Sequence, residues 1–91
     1  MAAARLVIIG RVQGVGFRGW ACREAFRRNL RGWVRNLGDG SVEILAIGDD
    51  AAIDGMIEAC RRGPRMAAVD DIQRSPGDDD GSKDFSEKAS A

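Results

Sequence analysis

The first half of the chain has the apolar pattern of a strand followed by a helix. The run Leu6 to Ile9 is apolar at every position, which predicts a strand over residues 5–12 that is buried on both faces, as in the centre of a sheet. Apolar residues then recur at helical spacing and predict a helix over residues 18–30. The positions expected to face its core are Cys22, Ala25, Phe26 and Leu30. The arginines expected on its outer face are Arg23, Arg27, Arg28 and Arg31.

A hairpin follows the first helix. Residues 33–37 have an extended pattern, and Asp39-Gly40 is a strong signal for a tight turn between two strands. The next strand is predicted over residues 41–48, with Val42, Ile44 and Ala46 on one face.

A second helix and a fourth strand complete the regular part of the pattern. Asp49 or Asp50 can cap the helix. Its apolar positions recur at spacings of three and four and are Ile53, Met56, Ile57 and Cys60. Gly63-Pro64 ends the helix, and residues 66–74 predict a strand in which Asp70-Asp71 breaks the alternation and indicates a bulge.

The chain changes character after residue 75. Residues 76–82 are rich in proline, glycine and aspartate, which predicts a mobile loop. Phe85 predicts a short last strand within residues 83–89, which the charged Glu87 and Lys88 weaken.

The order of these elements is typical of a ferredoxin-like split β-α-β sandwich. This α+β fold has an antiparallel sheet of four to five strands with two helices on one face. We expect one domain over residues 1–91, with a well-patterned core at 5–74 and an acidic loop and weak last strand at 75–91. The first and third strands are central neighbours in such a fold, and the second lies beside the loop after the first. That arrangement would place Asn36 near Arg18.

The loop from Gly10 to Arg18 carries the strongest chemical signal. Gly14 and Gly16 permit positive φ, which lets successive N–H groups point at one position. The helix that begins there adds unpaired donors and the positive end of its dipole. Arg18 adds a planar fork of donors suited to a phosphate or carboxylate. The loop therefore indicates a site for a small anion, and the alternative is a tight turn followed by a solvated arginine.

Charge distribution agrees with an anionic ligand. Residues 1–48 hold eight arginines and three acids, whereas residues 49–91 hold six basic and eleven acidic residues. The basic half contains the glycine loop, but it is too sparse to predict long nucleic-acid contacts. No apolar run predicts a transmembrane helix or a signal peptide, so we expect a cytoplasmic protein without a membrane partner.

Three other kinds of site are excluded by the residues around them: a dinucleotide site, a cysteine phosphatase loop and a zinc site. Gly14 to Gly19 fits G-x-G-x-x-G, but the acid at the expected distance, Asp39, lies in a hairpin turn rather than after a second parallel strand. Cys22 and Arg28 fit C-x5-R, but the residues between them favour a helix and place Cys22 on its apolar face. Two cysteines, Cys22 and Cys60, with no histidine exclude the usual zinc spacings, so we expect no metal.

Two long stretches, Gly10 to Arg18 and Gly32 to Glu43, resemble the acylphosphatase family, and the likeness covers about residues 5–74. The resemblance implies an α/β sandwich that hydrolyses the carboxyl–phosphate bond of acyl phosphates without a metal or other cofactor. It implies that Arg18 and Asn36 are catalytic, Arg18 binding the phosphate and Asn36 positioning the attacking water. It also implies a set of loop amides that bind the phosphate: Gln13, Gly14, Val15, Gly16 and Phe17.

This activity suits a chain without histidine. An acyl phosphate has a good carboxylate leaving group, so its hydrolysis needs an oriented water and charge stabilisation more than a strong acid or base. We expect a monomer acting on a small-molecule acyl phosphate, although Leu45 and Ile47 make the open sheet face somewhat apolar. There are three alternatives: a non-catalytic anion-binding module, a ferredoxin-like RNA binder, and the acylphosphatase-like domain of carbamoyl-transfer maturation proteins. We expect the last to be disfavoured, because the chain ends at residue 91 whereas such domains begin much longer proteins.

Overall fold

Five strands and two helices make up the computed structural model, which describes all 91 residues. In chain order they are β1 (Ala2–Arg11), α1 (Phe17–Arg27), β2 (Arg31–Asn36), β3 (Val42–Gly48), α2 (Asp50–Arg62), β4 (Ala68–Pro76) and β5 (Phe85–Glu87). Their order is the predicted one, and the architecture is the predicted ferredoxin-like sandwich. Neither helix has the length and apolar character needed to cross a membrane.

The sheet has the strand order β4-β1-β3-β2-β5, so β1 and β3 are the central neighbours that the sequence predicts. The pairs β1–β3, β1–β4 and β2–β3 are antiparallel, but β5 pairs with β2 in parallel. The prediction of a wholly antiparallel sheet is therefore wrong at this edge. The physical reason is the route of the chain. The last residue of β4 and the first residue of β2 lie at the same end of the sheet, and β5 starts at that end too, so β5 runs in the same direction as β2.

The main core lies between one face of the sheet and the two helices. It contains Leu6, Ile8, Val34, Val42 and Ile44 from the strands and Phe17, Ala21, Ala25, Ile53, Met56 and Cys60 from the helices. All four apolar positions predicted for α2 are buried, because its residues follow a regular spacing of three and four.

The core face of α1 differs from the prediction at one position. Phe26 is 75% exposed, whereas Phe17, Ala21 and Ala25 occupy the buried stripe. The buried residues of α1 recur every four positions and form a narrow stripe, and Phe26 lies about 100° around the helix from Ala25, outside that stripe. Leu30 is buried as predicted, but it lies beyond the helix.

The end of α1 also differs from the prediction. The helix ends at Arg27 rather than residue 30, and Asn29 adopts a left-handed conformation with φ of 55°. Arg28, predicted to be exposed, folds back and donates to Glu24 at 3.1 Å. Its side chain is therefore only 27% exposed.

The predicted bulge at Asp70-Asp71 is confirmed. Ile9 lies opposite Asp71 and Gly10 lies opposite Val69, so Asp70 is the extra residue of β4. Gly10 has φ of +137°, and a Cβ there would lie 2.2 Å from the carbonyl oxygen of Ala68. Only glycine allows the two strands to approach this closely.

Residues 77–84, which we call the strap, cross the other face of the sheet. The N–H of Gly77 donates to Ala3 O at 3.1 Å, Arg31 pairs with Asp79 at 2.5 Å, and Trp33 Nε1 donates to Asp80 at 3.0 Å. The predicted loop is therefore joined to the sheet by hydrogen bonds and an ion pair. Leu45 and Ile47, predicted to make this face apolar, are only 6% and 1% exposed.

Candidate functional site

The loop between β1 and α1 is anchored at both ends. Val12 and Phe17 are 1% and 2% exposed, so residues 13–16 span a short gap between two fixed points. Gly14 and Gly16 have φ of 73° and 77°, and a Cβ at either position would meet no atom within 4 Å. The requirement for glycine here is therefore backbone conformation rather than space.

The N–H groups of this loop have no acceptor on the main chain. No backbone carbonyl accepts a hydrogen bond from the N–H of residues 13–19, and the first of these bonds in α1 runs from Trp20 N–H to Gly16 O at 3.1 Å. The first turn of α1 contains no acidic side chain that could occupy the donors. The loop and the helix N-terminus therefore form a cluster of free donors with positive potential, which suits an anion.

Gln13 joins this loop to the turn that follows β2. Its side-chain Nε2 donates to Leu37 O at 2.8 Å and to Ser41 O at 2.9 Å. Leu37 is the residue after Asn36, so the two hydrogen bonds bring the loop and the end of β2 together. The sequence suggests only a main-chain role for Gln13, because nothing local shows where its side chain reaches.

Arg18 lies in the first turn of α1 with its side chain 38% exposed. The one acidic side chain within 4 Å is Glu87 of β5, whose Oε1 lies 3.8 Å from Arg18 Nε. This distance is too long for a hydrogen bond, so the donors of the guanidinium remain available. From the sequence alone, Glu87 is expected only to weaken the last strand. The structure instead places it beside Arg18.

Asn36 is the last residue of β2 and lies opposite Val42 of β3. Glu87 lies opposite Val34, so Glu87, Val34 and Asn36 are on the same, helix-bearing face of the sheet. The carbonyl of Asn36 accepts from the N–H of Ala91 at 3.0 Å, and the strand therefore holds Asn36 through its main chain. Asn36 is thus two residues along β2 from Val34, whose partner Glu87 lies beside Arg18. That Asn36 lies near Arg18 stays a prediction.

The two cysteines do not have the properties of nucleophiles. Burial raises the pKa of the Cys60 thiol to about 12. Burial, and to a smaller extent the negative charge of Glu87, also raises the pKa of Cys22. Both thiols are therefore protonated at neutral pH, which agrees with the interpretation of C-x5-R as a chance match within a helix.

Comparisons with known proteins agree with this architecture. A family model described as Acylphosphatase matches residues 4–87. The chain is 56% identical over 72 residues to an acylphosphatase of Nitrobacter winogradskyi, which covers 79% of this chain and 73% of the relative. It is 51% identical over 83 residues to one of Alcanivorax borkumensis, covering 89% and 90%.

Among solved structures, the acylphosphatase from Bacillus subtilis superposes with a TM-score of 0.93 at 42% identity, covering 97% of this chain and 99% of that one. The likeness extends over both helices and the whole sheet, and the family match includes the glycine loop and the end of β2. The resemblance drawn from the two sequence motifs is confirmed. The chain therefore belongs to the acylphosphatase family.

Proposed function

We propose that the loop of residues 13–17, Arg18 and Asn36 carry out the acyl phosphate hydrolysis of this acylphosphatase. The observation that supports the proposal is that Gln13 Nε2 binds the carbonyls of the turn after Asn36 at 2.8 and 2.9 Å. This tether holds a cluster of N–H donors next to the strand end that carries Asn36. An anion site and a polar side chain able to orient water are thereby held side by side.

The phosphoryl group binds to the loop. Its oxygens accept from main-chain N–H groups of Gln13, Gly14, Val15, Gly16 and Phe17, none of which is bonded to another backbone carbonyl. Arg18 adds a charged donor from the first turn of α1. Because the buried Val12 and Phe17 fix the ends of the loop, these donors need little rearrangement as negative charge builds up in the transition state.

Asn36 orients the water. Its side-chain carbonyl can accept a hydrogen bond from the water while its NH2 group donates to a phosphoryl oxygen. The water oxygen forms a bond to phosphorus, and the bond between phosphorus and the acyl oxygen breaks with its electron pair leaving on the carboxylate. One water proton moves to a phosphoryl oxygen of the substrate, which accounts for a site without histidine. The products are a carboxylate and inorganic phosphate.

We also propose that the enzyme works as a cytoplasmic monomer, without a cofactor, on a small-molecule acyl phosphate. The strap supports a monomer because it covers Leu45 and Ile47, the apolar side chains of the open face. The two cysteines are unpaired thiols, which suits a reducing compartment.

The substitution Arg18→Ala tests the proposal. We expect kcat/KM for benzoyl phosphate, measured in EDTA, to fall by at least about 100-fold, the loss seen when one good oxyanion donor is removed. Arg23→Ala is the matched control, because Arg23 is an exposed arginine of the same helix. Equal turnover by wild type and a folded Arg18→Ala variant would contradict the proposal.

A further inference from the structure

Glu87 is the one acidic neighbour of the arginine on which the proposed function rests. Its Oε1 lies 3.8 Å from Arg18 Nε, with the two side chains 50% and 38% exposed. Other arginines are bound much more closely: Arg35 donates to Glu43 at 2.6 Å and Arg31 to Asp79 at 2.5 Å. Glu87 therefore acts on Arg18 through its charge rather than through a hydrogen bond.

The backbone of β5 fixes the position of that charge. Glu87 lies opposite Val34 in the parallel pair of β5 and β2, and the next residue, Lys88, donates its N–H to Val34 O at 2.8 Å. After burial, the charge of Glu87 is the next cause that raises the pKa of Cys22, so the carboxylate lies near a second residue of α1 besides Arg18. The main chain of Glu87 is thus held in the sheet, which keeps its negative charge beside Arg18.

We infer that Glu87 sets the affinity of the anion site by weakening the attraction of Arg18 for the phosphate group. Its carboxylate cancels part of the positive charge that a phosphoryl group meets at Arg18, in the substrate and in the product alike. Because it approaches the Nε side at 3.8 Å, it leaves the guanidinium able to donate. The consequence is weaker binding of substrate and inorganic phosphate, and therefore faster release of the phosphate product, with little change in the chemical step.

The substitution Glu87→Gln tests this inference, because it removes the charge and keeps the shape of the side chain. We expect the inhibition constant for inorganic phosphate and the KM for benzoyl phosphate both to fall by about 2- to 5-fold, as for a half-exposed ion pair. We expect kcat to change by less than about 2-fold, and the difference from wild type to shrink in 0.5 M salt, because added ions screen exposed charges.

Glu58→Gln is the matched control. Glu58 is an exposed glutamate paired with Arg61 at 3.3 Å on α2, so its loss changes the net charge equally. The same fall in both constants for the two variants would overturn the inference by showing an effect of overall charge. A rise in KM or a large loss of kcat in Glu87→Gln would also overturn it, since Glu87 would then support Arg18 rather than oppose it.

The inference rests on the proposed function, and the same assay separates the two. If Arg18→Ala retains wild-type turnover, the proposed function fails. If Arg18→Ala loses turnover and Glu87→Gln leaves phosphate inhibition unchanged, only the role of Glu87 is wrong.

Discussion

Gln13 serves the proposed site with its main chain and its side chain in two different ways. Its N–H is one of the free donors of the loop, while its Nε2 binds Leu37 O and Ser41 O. The side chain therefore does not contact the substrate in the proposed site but fixes the distance between the phosphate loop and Asn36. Reactions that depend on oriented water are sensitive to displacements of about 1 Å.

The first prediction at this scale concerns Gln13→Ala. The variant removes two hydrogen bonds, although Leu37 O still accepts from Gly40 N–H at 3.2 Å and Ser41 O from Leu37 N–H at 2.9 Å. We expect the free energy of unfolding to fall by about 1–3 kcal/mol, the net contribution of two such bonds. We expect kcat for benzoyl phosphate to fall more than the affinity for inorganic phosphate, because the loop amides remain while Asn36 loses its fixed distance from them. Urea denaturation and steady-state kinetics measure the two effects.

Gln73→Ala is the control for that variant, because Gln73 is an exposed glutamine on β4. The assigned role of the Gln13 side chain is wrong if Gln13→Ala and Gln73→Ala have the same stability and the same kcat.

At the scale of elements, Glu43 joins three strands on the face that the strap crosses. Its side chain is 3% exposed and lies between Arg35 of β2, which donates to it at 2.6 Å, and Arg5 of β1. Burial by itself raises the pKa of Glu43, but hydrogen bonds from Arg35 and Arg5 and their charges outweigh it and hold the pKa below its usual range. A buried acid on a strand is thus made compatible with the sheet by two arginines from neighbouring strands.

This shift predicts a pH dependence of stability. A carboxyl whose pKa is lower in the folded chain contributes stability above its unfolded pKa, near 4.3, and loses it as pH falls through the folded value. We expect Glu43→Gln to lower the free energy of unfolding by about 1–3 kcal/mol at pH 7. The difference from wild type should shrink between about pH 5 and 3 in denaturant titrations. A difference that stays constant over this range would show that the charge of Glu43 does not stabilise the sheet.

The elements differ in how well the sequence predicts them. In α2 all the large apolar residues fall on one stripe, so pattern and core coincide. In α1 both Ala25 and Phe26 are apolar, and only the packing decides that Ala25 is buried and Phe26 exposed. The strap and the parallel β5 depend on contacts between residues some 48 positions apart, such as Arg31 and Asp79, which leave no local pattern.

The same distinction applies to the proposed site. Gly14, Gly16 and Arg18 belong to one continuous motif, and Asn36 to a second, so the sequence predicts all four. The side-chain role of Gln13 and the presence of Glu87 are not predicted, because each depends on which distant segment the fold brings beside α1 or β2. A charged residue on a short edge strand has no local feature that marks it as a neighbour of Arg18.

For the whole molecule, the route of the chain after β4 shapes both faces of the sheet. The strap carries the chain from β4 at one edge of the sheet to β5 at the other, a distance of about 19 Å for four strand spacings, which eight residues can span. It covers Leu45 and Ile47 on the way and delivers β5 to β2. β5 in turn places Glu87 beside Arg18 of the proposed site.

The measurement that tests the central claim most directly compares Asn36→Ala with wild type for kcat on benzoyl phosphate and for inhibition by inorganic phosphate. Asn36 is held through its main chain, so the variant should keep its fold. We predict a fall in kcat of at least about 100-fold with phosphate inhibition within about 2-fold of wild type, because water is no longer oriented while the loop still binds phosphate. A folded Asn36→Ala variant with wild-type kcat would contradict the account and leave the loop as an anion-binding site without the proposed catalytic partner.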